Sequence, residues 1–140
     1  MVSPPQQTLS QRLVDSGLRA TPQRELVYRT LLARMDHPTA EELFTRSKLE
    51  LSGISLATVY NCLEALVNCG LVKQVQLDRG PCRYCPNLHE HAHLYDQTSG
   101  HITDIEIPPQ IAAQLRSLLP SGYESSTIDL NFHARPTPQS

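Results

Sequence analysis

Histidines recur at alternate positions in the middle of the sequence, and this is its most chemically specific feature. His89, His91 and His93 are separated by single residues in a chain of 140 residues that holds six histidines. A β-strand places residues i and i+2 on one face, so this spacing predicts three imidazoles that project together. Asp104 falls on the next alternating segment, across a predicted hairpin. Imidazoles and a carboxylate are common ligands of Zn²⁺, Fe²⁺ or Mn²⁺.

Two further residues could complete this ligand set. Cys85 lies where the two halves of the chain join, and His37 precedes a proline in the N-terminal half. A thiolate and an imidazole both bind divalent transition metals. The alternatives are a solvent-exposed histidine cluster and, for His37, an ordinary loop position. The predicted metal ligands are His37, Cys85, His91, His93 and Asp104.

The other cysteines do not form a recognisable zinc site. Cys82 and Cys85 have C-x-x-C spacing, but no second pair lies at a zinc-site distance. Cys62 and Cys69 both fall within one predicted helix, which favours packing on its inner face. A structural disulfide is not expected in a cytoplasmic protein. A redox-sensing pair of Cys82 and Cys85 is kept as an alternative.

The elements that must position these residues begin with helices that have clear capping signals. Four hydroxyl residues each precede apolar residues at helical spacing and are predicted N-caps: Thr8, Thr21, Thr39 and Ser55. Gly17 and Gly70 fit the positions where the first and fourth helices stop. Leu71–Leu77 and Cys82–Cys85 then predict a β-hairpin around a turn at residues 78–81. Helices followed by a hairpin are typical of a winged helix-turn-helix.

The fourth predicted helix carries the main indication of DNA binding. Its apolar residues Val59, Leu63 and Leu66 leave small and polar side chains on the opposite side. The first turns of a recognition helix approach base edges and phosphates closely. An ordinary amphipathic helix is the alternative. The predicted DNA contacts are Ser55, Ala57, Thr58, Tyr60 and Asn61 on this helix, with Arg19, Thr21, Gln23 and Arg24 near the start of the second.

From about His89 onward, residues alternate with the two-residue spacing of β-strands instead of the helical spacing of the first half. Two alternating segments precede a helix opened by Pro108, and residues 126–132 are a predicted last strand. The apolar residues expected on that helix are Ile111, Leu115, Leu118 and Leu119. Free strand edges in so small a unit invite pairing with a second copy. The predicted class is therefore α+β, with a winged-helix DNA-binding domain over residues 1–84 and a small α/β dimerisation and metal-binding domain over residues 85–140.

Charge and hydropathy restrict the functional classes. The net charge of −2 is unevenly distributed. Residues 1–88 contain ten Lys and Arg and eight Asp and Glu, whereas residues 89–140 contain two Lys and Arg and six Asp and Glu. So small a basic excess does not indicate nucleic acid by itself. No segment approaches the ~20 apolar residues of a membrane span, and no signal peptide is recognised. We therefore expect a cytoplasmic protein with no membrane partner.

Several motifs together resemble the ferric uptake regulator (Fur) superfamily. The runs GLRATPQR from Gly17, HPTAEEL from His37, SLATVYN from Ser55 and GHITD from Gly100 occur in the family's order, over about residues 9–133. The resemblance implies a homodimer on a pseudo-palindromic double-stranded DNA operator. It implies one regulatory divalent transition metal per subunit at the hinge, Zn²⁺ or Fe²⁺, with Mn²⁺ as a further candidate. Tyr60 would be a base contact and Arg19 a minor-groove contact.

Departures from the family pattern bear on which metal or cofactor this chain is expected to bind. Most members carry two C-x-x-C pairs that hold a structural zinc. Here Asp96 and Ser99 stand at the first pair, and Ala134 stands where a cysteine of the second is expected. No structural Cys₄ zinc is therefore expected. The absence of three consecutive histidines also weakens a haem-binding interpretation. A thiolate at Cys85 favours zinc, whereas Asp104 resembles the peroxide-sensing branch.

The expected function is a metal-responsive repressor that controls metal homeostasis or oxidative-stress genes, with no catalytic residues and no enzymatic activity. The first alternative is a peroxide or redox sensor that uses metal-catalysed histidine oxidation or the Cys82–Cys85 pair. A metal-independent winged-helix module is the second. The third is a metallohydrolase with zinc on His91, His93 and Asp104, although no general base is evident beside those residues.

Overall fold

In the computed structural model the described residues are 8–76, 80–125 and 127–138. The chain divides into two compact units, Met1–Leu88 and His89–Ser140. Together they contain five helices and two small sheets among the described residues, which confirms the α+β class. This division places Cys85 in the first unit, and a functional boundary after residue 84 stays a prediction.

The first unit begins with four helices, and their predicted caps are confirmed. They are α1 (Leu9–Asp15), α2 (Pro22–Ala33), α3 (Ala40–Lys48) and α4 (Leu56–Asn68). Each predicted N-cap hydroxyl accepts the backbone N–H three residues later, at 3.1 or 3.2 Å. These bonds satisfy donors that the first turn of a helix otherwise leaves without partners. Gly17 and Gly70 end α1 and α4 with φ of 89° and 87°, which glycine adopts without a Cβ clash.

The core of the first unit is aliphatic and centres on α4. Val59, Leu63 and Leu66 of α4 are fully buried. They pack in one cluster with residues from α1, α2 and α3 and from the hairpin that follows α4. Burial of this apolar face turns the opposite side of α4 outward, and that side carries the predicted DNA contacts. The largest fully buried side chains of this cluster are Leu13, Val27, Leu31, Leu43, Val59, Leu63, Leu66 and Val72.

A short β-hairpin follows the helices and completes the winged helix. Strands β1 (Lys73–Val75) and β2 (Arg83–Cys85) are antiparallel, with Lys73 opposite Cys85. Both strands are shorter than predicted, and β1 begins only at Lys73 because Leu71 and Val72 pack into the helical core. The predicted turn residues Asp78 and Arg79, with Leu77, lie outside the described residues.

The second unit is a three-stranded sheet with one helix. Strands β3 (His91–Asp96) and β4 (Ile102–Glu106) form an antiparallel hairpin, and α5 (Pro109–Arg116) leads to β5 (Leu130–Ala134). The strand order is β4-β3-β5, and β5 runs parallel to β3 as its helical crossover requires. Among its described residues, Ala92, Ile107 and Ala112 form a small buried cluster, with Leu130 packed against it.

The C-terminal elements differ in extent from the prediction. Helix α5 ends at Arg116, so the expectation that it carries Leu118 and Leu119 is wrong. These side chains are 79% and 40% exposed, and Pro120 follows, which disfavours helical continuation. The last strand starts at Leu130, and predicted residue Ser126 lies outside the described residues. Within the described part of the chain, no helix is long and apolar enough to cross a membrane.

Candidate metal centre and nucleic-acid interface

Strand pairing in the second unit gathers three of the predicted ligands. The β3–β4 register places His93 directly opposite Asp104, and His91 shares its strand face with His93. The Nε2 atoms of His91 and His93 lie 3.1 Å apart. One carboxylate oxygen of Asp104 lies 3.4 Å from the first Nε2 and 3.5 Å from the second. Three ligand atoms therefore converge on one point of the sheet.

The spacing of these atoms fits a metal ion. Zinc binds histidine nitrogen at ~2.0–2.1 Å in tetrahedral sites, so neighbouring ligand atoms are then about 3.3 Å apart. The three observed separations, 3.1, 3.4 and 3.5 Å, bracket that value. His91 and His93 are buried, which limits competition from water. The donor set and its geometry in this unit therefore suit a divalent transition metal.

His89 does not join this group, and the prediction of three projecting imidazoles is wrong. The strand begins at His91, and His89 is exposed in a bend before it. Its backbone carbonyl instead lies 2.5 Å from Nδ1 of His91. A carbonyl can only accept, so Nδ1 carries the proton and Nε2 keeps the lone pair that a metal needs.

The first unit holds the other two predicted ligands close together. His37 is 3% exposed and Cys85 is 2% exposed. A ring nitrogen of His37 and the sulfur of Cys85 lie within 4.8 Å of one another. Backbone pairing explains this proximity: the N–H of Tyr84 donates to the carbonyl of Pro38 at 3.0 Å, and Thr39 bridges to β2. The segment of His37 thus runs beside the strand that ends in Cys85.

His37 has a strained backbone that its neighbours stabilise. Its φ is 54°, the left-handed region that few non-glycine residues adopt. Nη1 of Arg83 donates to the His37 carbonyl at 3.0 Å. On the preceding residue, the guanidinium of Arg46 donates to both oxygens of Asp36 at 3.0 and 2.7 Å, and these bonds lower the pKa of Asp36. The two arginines fix the backbone that presents His37.

Strand geometry disfavours a disulfide between Cys82 and Cys85. Strand β2 covers only Arg83–Cys85, and a chain that is extended from Cys82 onward would separate the Cα atoms of Cys82 and Cys85 by about 10 Å, beyond the ~7 Å limit for a disulfide. Cys85 is buried, whereas Cys82 is partly exposed. The sulfur of Cys82 contacts the side chain of Gln76 at 3.8 Å.

The positions where the cysteines of a structural zinc are missing take part in hydrogen bonds and strand pairing instead. Asp96 is paired with Ala134 across β3 and β5. One Asp96 oxygen accepts the backbone N–H groups of Thr98 at 2.8 Å and Ser99 at 3.3 Å. These bonds lower the pKa of Asp96. No thiolate is available at residues 96, 99 or 134.

On α4 the predicted DNA contacts divide into capping and outward-facing residues. The Ser55 hydroxyl accepts the Thr58 N–H and lies 2.8 Å from the Thr58 hydroxyl, so both side chains are engaged in the cap. Ala57, Tyr60 and Asn61 are exposed. Tyr60, a large aromatic residue, is 45% exposed. The outward face therefore offers a methyl, a phenol and an amide.

The start of α2 presents the remaining predicted contacts. The side chain of Thr21 is occupied as the cap, and Nη1 of Arg24 donates to the Arg19 carbonyl at 3.0 Å. Arg19 and Gln23 are exposed. The bond from Arg24 fixes the backbone from which Arg19 extends. Contact of all these residues with DNA stays a prediction.

Sequence reasoning missed two residues that the structure makes relevant. Arg83 reaches the His37 carbonyl and lies 3.9 Å from a carboxylate oxygen of Glu42. No local pattern signals this, because His37 and Arg83 are 46 positions apart. Glu64 lies on the exposed side of α4. Its helical spacing from Tyr60 could have revealed it.

A winged helix with an outward-facing fourth helix, followed in the chain by a small sheet that brings candidate metal ligands together, defines a class of DNA-binding transcriptional regulators. The sequence model of the ferric uptake regulator family matches residues 15–133. The chain belongs to that family. Its membership and its relatives confirm the predicted function of a metal-responsive transcriptional repressor.

Individual relatives agree with this assignment. The peroxide-responsive repressor PerR of Staphylococcus aureus (strain Mu50) is 34% identical over 121 residues, covering 86% of this chain and 78% of PerR. A Pseudomonas aeruginosa ferric uptake regulator solved with manganese has a TM-score of 0.80 at 22% identity, covering 94% of this chain and 100% of that one. The Campylobacter jejuni peroxide stress regulator has a TM-score of 0.73 at 25% identity, covering 94% and 96%.

Proposed function

We propose that the chain is a homodimeric repressor whose affinity for a DNA operator rises when one divalent transition metal binds to each subunit. The observation that carries the proposal is the convergence of His91, His93 and Asp104 within 3.5 Å inside the second unit. His37 and Cys85 supply further ligands from the first unit. A metal that takes ligands from both units would couple the occupancy of its site to the affinity for DNA.

The donor set limits the metal that would be held. When bound, the metal supplies a positive charge that neutral imidazoles, a carboxylate and a thiolate share. The buried thiolate of Cys85 is soft and favours Zn²⁺, whereas Asp104 and the imidazoles also suit Fe²⁺ and Mn²⁺. We propose Zn²⁺ or Fe²⁺ as the physiological ion. Mn²⁺ is a further candidate, and the Pseudomonas aeruginosa relative was solved with manganese.

DNA reading is assigned to α4. Its N-terminal turn is capped by Ser55, and its remaining N–H groups favour a phosphate. Asn61 can bind adenine through two hydrogen bonds, and the methyl of Ala57 leaves space for a thymine methyl. Arg19 and Gln23 extend from the start of α2 toward the DNA backbone or the minor groove. A cytoplasmic site of action follows from a DNA operator.

A homodimer is supported by the second unit. With the order β4-β3-β5, each outer strand has an open edge among the described residues. Ile105 of β4 is 38% exposed and Phe132 of β5 is 47% exposed. Open edges and exposed apolar side chains are commonly covered by a second copy. Two winged helices related by a two-fold axis would read a pseudo-palindrome with half-sites about one helical turn apart.

The test compares two histidine variants. His91→Ala removes a candidate ligand, whereas His133→Ala removes an exposed imidazole of β5 and serves as the matched control. Metal stoichiometry and affinity for an operator selected from random duplexes are measured for both under anaerobic conditions. We expect His91→Ala to lose metal and metal-dependent DNA binding together, and His133→Ala to keep both. Normal switching by His91→Ala would refute the ligand assignment.

Peroxide sensing is the second candidate, because a relative with 34% identity is a peroxide-responsive repressor. Oxidation of a ligand imidazole or of the Cys85 thiolate would remove a lone pair that the metal needs. Mass spectrometry of iron-loaded protein after peroxide treatment tests this candidate. Oxygen added to His91, His93 or Cys85 together with release of DNA would support it, and unmodified ligands with retained DNA would exclude it.

A further inference from the structure

The exposed face of α4 carries one acidic residue in line with the predicted base contacts. Ala57, Tyr60, Asn61 and Glu64 are all exposed. Their spacing of i, i+3, i+4 and i+7 is the spacing from which homeodomain recognition helices read successive bases in the major groove. Glu64 occupies the fourth position of this row. The buried residues Val59, Cys62, Leu63 and Leu66 fill the opposite side of the helix.

The carboxylate of Glu64 is available for an outside partner. It makes no ion pair or hydrogen bond within the described part of the chain. It lines a concave groove of about 580 Å³ with Tyr60 of the same helix and Gln74 of β1. The residues of α4 include no lysine or arginine that could neutralise it.

This absence of basic residues constrains what α4 can read. Guanine offers two acceptors in the major groove and is normally read by arginine or lysine. A carboxylate can only accept, so guanine O6 and N7 and thymine O4 repel it. Cytosine presents the N4 amino donor alone, and glutamate is its usual partner. A glutamate in this row of exposed residues is therefore best suited to bind cytosine.

We propose that Glu64 is a specificity-determining residue that selects cytosine in each half-site of the operator. This inference rests on the proposed function, because it assumes that α4 enters the major groove. One helical turn separates Tyr60 from Glu64, which is about 6 Å along the helix axis. Successive base pairs rise ~3.4 Å, so the selected cytosine lies about two base pairs from the position that depends on Tyr60.

The experiment selects bound sequences from a random duplex library with the full-length, metal-loaded protein and three variants. Glu64→Ala removes the acceptor, and we expect the preference for cytosine at one symmetric position to fall by roughly ten-fold. Glu64→Gln can bind adenine N6 and N7, so the preferred base should change from cytosine to adenine. Glu124→Gln removes an equal charge from an exposed position of the second unit and is the control.

The outcomes separate this inference from the proposed function. A wild-type protein that enriches no sequence would refute the proposed function. A wild-type protein that enriches a pseudo-palindrome while both Glu64 variants enrich the identical sequence would overturn the role of Glu64 alone. A uniform rise in affinity for all duplexes, with unchanged base preference, would also overturn it, because the carboxylate would then only repel phosphates.

Discussion

Nη1 of Arg83 donates a 3.0 Å hydrogen bond to the backbone carbonyl of His37, which has a φ of 54°. The bond links the strand that ends in Cys85 to the loop that presents a candidate ligand. We predict that Arg83→Ala lowers the affinity for Zn²⁺ by about ten-fold or more, because residues that orient metal ligands contribute on that scale. Competition with a chromophoric chelator measures this affinity.

The matched control for Arg83 is Arg29, whose guanidinium pairs with exposed Glu50 at 2.5 Å in the same unit. Arg29→Ala should leave zinc affinity unchanged. Arg83→Lys keeps the charge and should restore part of the affinity. Equal zinc affinities for wild type and Arg83→Ala would show that the bond to His37 has no role in presenting the ligand.

Exchange of the thiolate at Cys85 should change the metal preference. Cys85→Asp replaces a soft ligand with a hard one, so the affinity for Zn²⁺ should fall relative to that for Mn²⁺. Competition titrations with both ions measure this ratio. Cys69→Ser is the control, because Cys69 caps the end of α4 and its thiol donates to the Leu66 carbonyl at 3.3 Å. An unchanged ratio for Cys85→Asp would remove Cys85 from the ligand set.

Asp96 should make the stability of the protein depend on pH in the acid range. Backbone N–H groups of Thr98 and Ser99 lower its pKa in the folded state. Stability from a lowered carboxyl pKa is present above the unfolded value of about 3.9 and is lost as the pH falls through the folded value. Asp96→Asn removes the titrating group. Its unfolding free energy should therefore fall less steeply than that of wild type as the pH is lowered below about 4.

Urea unfolding at each pH measures this difference, with Asp129→Asn as the control for loss of one carboxylate from the same unit. Parallel pH profiles for wild type and Asp96→Asn would contradict the role of the turn.

Metal analysis of the same wild-type preparation should find one ion per subunit, because residues 96, 99 and 134 carry no thiolate.

Substitutions on the buried face of α4 should lower stability, whereas substitutions on its exposed face should weaken DNA binding. Leu63 is fully buried, so Leu63→Ala should lower the free energy of unfolding by about 2–5 kcal/mol. Tyr60 is 45% exposed, so Tyr60→Ala should change it by no more than about 0.5 kcal/mol. Tyr60→Ala should instead weaken operator binding without altering metal uptake. Unchanged operator affinity would contradict the assignment of α4 as the recognition helix.

Local sequence signals predicted most of the fold. The hydroxyl caps and glycine stops fix helix boundaries through bonds that span three or four residues, so Thr39 and Ser55 could be assigned directly. The end of α5 is harder to predict, because Leu118 continues the helical spacing although the helix ends at Arg116 and Pro120 follows. The alternating pattern predicts that β3 includes His89, but the β3–β4 register begins at His91.

The candidate site was only partly predictable for a physical reason. The pairing of His93 with Asp104 follows from a hairpin, which is local in sequence. The proximity of His37 to Cys85 depends on backbone bonds between β2 and a loop far away in the chain. Residue type and family resemblance indicated these two ligands, but Arg83 became visible only through its contact with His37.

The most direct test is an anaerobic titration of the selected operator with wild-type protein, followed by fluorescence anisotropy, in excess Zn²⁺ or Fe²⁺ and again in excess chelator. Coupling between sites is typically worth about 1–3 kcal/mol, so we predict binding that is about 5- to 150-fold tighter with metal. Binding curves that superimpose with metal and with chelator would contradict a metal-responsive repressor.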